Sequence, residues 1–154
     1  MPSAITSKHL LFLLAAACFF GGTAVLDLRA RARHAYLEGE KYMAWAADPE
    51  LKKNFLDKAY AEKFKKLERA LADGGFTKAD FEDRKTLLET EKAFKLNESS
   101  AKYAYIWYKT AARDFTPPGN RWSRLAEQKS RAALELWKEE LKAGKIKFED
   151  YMLE

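Results

Sequence analysis

The chain is poor in the residues that build compact chemical sites. It has one cysteine, Cys18, and two histidines, His9 and His34. A single cysteine excludes an internal disulfide and a cysteine-based metal centre. The histidines stand on opposite sides of an apolar stretch, so no two-histidine site is expected, and neither a metal nor a cofactor. No glycine-rich phosphate loop is present, and no nucleophile stands with a base. The many carboxylates alternate with Lys and Arg at helical spacing, as on a solvated, ion-paired surface. No catalytic residue is therefore expected, and the chain reads as a non-enzyme. Charge of one sign is also lacking. The 28 Lys and Arg exceed the 23 Asp and Glu by only five, and the signs are well mixed. A nucleic-acid binder would concentrate them on one face.

What the chain does have is a sharp division. Residues 10–26 (LLFLLAAACFFGGTAVL) carry no charge. Residues 29–154 hold 27 Lys or Arg (all but Lys8) and 22 Asp or Glu (all but Asp27), 39% of 126 positions. We divide the chain into a signal or membrane-anchor segment, 1–28, and a soluble domain, 29–154. Seventeen helical residues span about 25 Å, the short limit for crossing a bilayer. The segment fits a retained anchor. It also fits a cleaved signal, with small residues at Gly22-Thr23-Ala24. A third use is a relaxed lipoprotein box, Ala15-Ala16-Ala17-Cys18, with Cys18 as the lipidation site. Arg29, Arg31 and Arg33 flank the segment and suit anionic headgroups. Counting cations across the segment leans towards a cytoplasmic domain; its signal-like character leans towards export. We expect a bacterial envelope protein, anchored in the inner membrane, with its domain on the periplasmic side.

Breakers lay out the soluble domain. Between Pro49, Gly74-Gly75, Pro117-Pro118-Gly119 and Gly144 lie stretches rich in Ala, Leu, Lys, Glu and Arg, residues of high helix propensity. No alternating β-branched run occurs, so the fold is expected to be all-α: the N-terminal helix, then about five antiparallel helices as stacked hairpins. The first helix covers about 28–47 and continues the apolar segment. Asp48 caps the second with Pro49 in its first turn; its core face is Leu56, Tyr60, Phe64, Leu67 and Leu71. Thr77 and Asp80 form a capping box for the third, with apolar positions 81, 87, 88 and 94. Ser99 or Ser100 caps the fourth, which runs to about Phe115 on a stripe at 104, 108, 111 and 115. The segment 116–120 makes a rigid break. The fifth helix stops at Gly144, and a tail docks Ile146, Phe148, Tyr151 and Leu153.

Two stretches align at an offset of 70 residues, Leu71 to Phe81 and Leu141 to Tyr151. Each holds Leu, Gly, an apolar residue, Asp and an aromatic at the same spacing. An offset of 69 pairs Ala35-Tyr36-Leu37 with Ala104-Tyr105-Ile106. These point to a unit of about two helical hairpins. Gly39-Glu-Lys-Tyr42, Phe55, and then Ala104, Trp107, Tyr108, Ala111, Ala126, Ala133 and Leu134 give most of 34–142 a pattern that resembles degenerate tetratricopeptide hairpins. That resemblance implies binding of another protein in a concave groove. Residues 67–88, with Gly74, Phe76, Thr77, Asp80-Phe81, Lys85 and Leu87-Leu88, are similar to the short C-terminal domain hairpin, which implies oligomerisation.

Tyr103, Tyr105, Trp107 and Tyr108 crowd two faces of one helix. Either that helix is packed on both sides or some of its rings anchor a partner. Tyr103, Trp107, Arg113, Arg121 and Trp122 are the candidate partner-binding residues. The expected role is a membrane-tethered or exported adaptor that binds another protein. The alternative is self-association through 67–88.

Overall fold

A computed structural model describes residues 7–117 and 119–153. It contains five α-helices: α1 (Ser7–Ala47), α2 (Pro49–Ala72), α3 (Lys78–Asn97), α4 (Ser100–Arg113) and α5 (Arg121–Ala143). A 3₁₀ turn, Asp150–Met152, follows. No strand occurs among the described residues. The expected all-α class is borne out, and 28–47 does continue the apolar segment in one 41-residue helix. Pro118, within the expected rigid break, lies outside the described residues.

The helix boundaries follow from local chemistry. The Asp48 carboxylate accepts from the Glu50 N–H at 3.0 Å, with Pro49 in the first turn. Thr77 and Asp80 exchange hydrogen bonds in the expected capping box. Ser99 accepts from the Lys102 N–H at 2.9 Å. Each such cap is worth about 1 kcal/mol. The α5 cap, Asn120, is a finding of the structure. Its amide also donates to Ser123 Oγ (2.8 Å) and to the Phe115 carbonyl (3.2 Å), which ties the α4–α5 turn together.

Two helices end by one device. At the end of α2, Gly74 donates to Leu71 O and Gly75 to Ala70 O, with Gly74 left-handed at φ 72°. At the end of α5, Lys145 donates to Lys142 O and Ile146 to Leu141 O. Here Lys145 is the left-handed residue, at φ 55°, and Gly144 stays at −75°. The stretches at offset 70 thus share the double-bonded helix end, displaced by one residue. A full helix follows the first and only a 3₁₀ turn follows the second.

Packing divides the helices into a stem and an arm. The stem joins the second half of α1 to α4 and α5. Tyr103 on α4 stacks on Tyr42 of α1, and Tyr108 meets Tyr36, so α4 runs antiparallel to α1. Trp122 meets Tyr36, while Lys129 reaches Glu40, so α5 runs parallel to α1. Small residues let the three backbones close in. Ala32, Ala35, Ala101, Ala104, Ala111, Ala126 and Ala133 are all buried. Gly39 faces the Tyr108 ring so closely that a Cβ there would lie 2.6 Å from two ring carbons.

The arm is the α2–α3 hairpin, and its helix contacts with the stem run through α1. The hairpins therefore do not form a regular stack: α4–α5 takes α1 as third helix, and α2–α3 projects beside it. This changes the expected core. Leu56 and Tyr60 are buried, but Phe64, Leu67 and Leu71 are only half-buried. No residue of α3 is buried; Phe81 and Leu88 are half-covered, while Leu87 is 67% and Phe94 63% exposed. The reason is that α3 has one neighbouring helix, whereas α4 has two. In the tail Leu153 docks and Phe148 half-docks, while Ile146 and Tyr151 stay exposed.

The first half of α1 has no protein cover. Leu10 to Leu14, Phe19, Phe20 and Leu26 are all well exposed, and Cys18 lies exposed among them. Among the described residues α1 is the one helix long and apolar enough to cross a membrane.

Candidate functional site at the arm junction

The end of α1, the start of α2 and the start of α4 meet where the arm leaves the stem. Each element brings aromatic residues. Tyr42 packs edge-on to Trp45 at 4.9 Å and stacks on Tyr103 at 5.3 Å. Trp45 meets Phe55 at 5.1 Å. Phe55 is nevertheless 53% exposed, because one of its faces is open. These rings wall a cleft of about 290 Å³, with Lys41, Lys95 and Glu98 at its edges.

The lysines here are fixed in different ways. Lys41 pairs with Glu38 and lies over Tyr42, Trp45 and Phe55 at 5.0, 5.2 and 6.0 Å. Those distances permit cation–π attraction. Lys52 is 6% exposed, and its ammonium donates to the carbonyls of Leu96 and Glu98 at 3.1 and 2.5 Å. It thus closes the C-terminal end of α3, where carbonyls lack helical partners. Burial pushes the Lys52 ammonium down, against the opposing pull of the Glu98 and Glu140 carboxylates. Tyr103 donates to the Glu98 carboxylate. That bond, aided by burial, raises its phenol to about 12. The lining offers ring faces beside ammonium groups, a setting for an apolar side chain flanked by a carboxylate.

A second polar centre lies at the edge of the stem core, where the Lys129 and Glu40 side chains are 46% and 36% exposed. Tyr108 is fully buried and donates to Glu40 at 2.5 Å, while Lys129 bonds both Glu40 oxygens at 2.6 Å. One carboxylate thus joins all three stem helices. Burial alone would raise the Glu40 carboxyl, but the bonds from Lys129 and Tyr108 outweigh it and hold the group below its ordinary value. Burial and donation to Glu40 lift the Tyr108 phenol well above the usual tyrosine range. Because it ties three helices through one carboxylate, this network reads as a lock between helices.

The five candidate partner residues are not brought together. Tyr103 lines the junction cleft. Trp107 is half-buried against the stem core, edge-on to His34 at 6.1 Å. Arg113 lies in a basic cleft of about 240 Å³ between α4 and α5, with Lys109, Arg131 and Glu127. Arg121 and Trp122 sit at the opposite end of the stem from Tyr103, beside Arg29. Lys41, Trp45 and Lys52 are missed in the sequence, and Phe55 enters only as part of the hairpin resemblance. Their clearest signal is the Trp45 to Phe55 spacing across the Asp48-Pro49 helix start. No group of three or more His, Cys, Asp or Glu side chains converges among the described residues. Comparison with family models, with curated proteins and with solved structures returned no match to this chain.

Proposed function

We propose that the protein is a membrane-tethered helical adaptor of a bacterial envelope. Residues 10–26 hold it in the inner membrane, the stem sets its height and orientation, and the arm with its junction cleft engages another protein on the periplasmic side. The observation that carries this reading is the uncovered apolar surface of the arm. Leu51, Phe55, Leu87 and Phe94 are 49%, 53%, 67% and 63% exposed on a hairpin with little core of its own. Partner interfaces favour such aromatic anchors inside a charged rim. The hairpin resemblance supports the same role. Of the candidate residues, Tyr103 belongs to this surface; Trp107 serves the core, and Arg113, Arg121 and Trp122 lie outside it.

The uncovered Leu87 lies within 67–88 and favours a second reading, self-association through the arm. Both are tested by a photoreactive residue at Phe94 or Phe55 in the full-length protein in cells. The adaptor reading expects a discrete adduct with a different protein, lost in Phe55→Glu while helicity is kept. An adduct at twice the chain's own mass assigns the arm to self-association. No adduct at either position contradicts both. Protease treatment of intact and opened cells tests the side: digestion of the domain in cells with only the outer membrane opened is expected, and protection there contradicts it.

A further inference from the structure

The stem presents one end to the base of the apolar segment. The register set by Tyr103 on Tyr42 and Tyr108 on Tyr36 carries α4 down towards residue 29 of α1. The α4–α5 turn then lies level with the first residues after Leu26. Independent contacts agree. Arg29 shares a notch with Gly119, Asn120, Arg121 and Trp122. The Arg33 guanidinium lies 5.8 Å from the Trp122 ring centre, and that of Arg121 lies 5.6 Å from it. Trp122 is thus half-buried between arginines from two helices, level with residues 29–36 of α1 and within about three helical turns of the end of the uncharged run. Arg124 is exposed one turn further on, and the nearest acid of α1, Asp27, is already paired with Arg31 at 2.7 Å.

We propose that this end of the stem is a lipid-binding face, in which Trp122 beds at the headgroup level while Arg33, Arg121 and Arg124 bind phosphates of anionic phospholipid. The reading rests on residues 10–26 spanning the membrane. Tryptophan favours the interface because its ring is apolar and its N–H is polar. Arginine forks match phosphate oxygens in pairs. The face would fix the stem against the bilayer and hold the junction cleft at the far end of the three helices, away from the surface.

The test uses the full chain in vesicles of phosphatidylcholine, with or without phosphatidylglycerol, containing lipid brominated close to the headgroup. Subtracting the signal of Trp122→Phe isolates the Trp122 fluorescence. Quenching of that component is expected, stronger with phosphatidylglycerol. The triple variant Arg33→Gln, Arg121→Gln, Arg124→Gln should return it to the phosphatidylcholine level, with the docked-to-free ratio falling about fivefold per arginine removed. Salt at about 1 M should do the same, because it shortens the screening length to about 3 Å. Equal quenching in both lipids overturns the phosphate assignment. An unquenched Trp122, with Cys18 shielded from a membrane-impermeant maleimide, overturns the lipid face while the anchor stands. Alkylation of Cys18 overturns the anchor and the face together.

Discussion

The stem and the arm are both made of helices with well-defined caps, yet they are held in opposite ways. The stem closes on alanines, a glycine and buried tyrosines, of which Tyr108 is fully enclosed. Three helices share that core, and one carboxylate, Glu40, links all of them. The arm buries Leu56, Tyr60 and the Lys52 stem near its base and nothing on α3. It is also tied by ion pairs, Lys92 to Asp57 at 2.7 Å and Lys63 to Glu91 at 3.3 Å. Half-exposed pairs of this kind contribute little, at most about 1 kcal/mol each. This division suits the proposed adaptor role: the stem would fix position, and the lightly held, apolar-faced hairpin would gain burial when a partner covers it.

The largest expected break in this contrast is Tyr108→Ala. It empties the centre of the stem and strands Glu40 beside Lys129. We expect a loss of about 3–5 kcal/mol, read as a large fall in the thermal midpoint of the stem. A smaller change sharpens the same point. Gly39→Ala places a Cβ 2.6 Å from an enclosed ring that cannot turn away. Overpacking of this kind costs about 1–3 kcal/mol, measured by denaturant unfolding. The same exchange at Gly22, which has open space around it, is expected to leave the stem unchanged.

The smallest effect concerns acid. Glu91 is held down to about 2, first by its hydrogen bond with Lys95 and further by Lys63. Its folded value is below its unfolded one, so its contribution is complete above about pH 4.5. It is lost as pH falls towards 2. The protection of α3 amides, taken relative to the unstructured exchange rate at each pH, should therefore fall across that window, and Glu91→Gln should lower it already at neutral pH and flatten the dependence.

Much of the framework was legible because it is local. Asp48-Pro49, the Thr77–Asp80 box and Ser99 announce helix starts through side chains that bond backbone two or three residues away. The stripe at 104, 108, 111 and 115 was legible too, since periodicity alone gives the buried face of a short helix. What was not legible depends on which helix covers which. Leu87 and Phe94 look like core positions until α3 proves to have a single neighbour. Gly39 looks like a repeat signature, whereas its physical task is to admit the Tyr108 ring. The junction cleft draws on residues 41–56 and 95–103, two segments joined only by the folding of the arm between them.

The central claim, that a rigid stem carries a separately opening arm, is tested most directly by native-state hydrogen exchange on the full-length protein. The account predicts that amides of α3 and of the outer half of α2 exchange through local opening, at rates orders of magnitude above those of Ala104 to Ala111. A single shared protection level for α3 and α4 would contradict it.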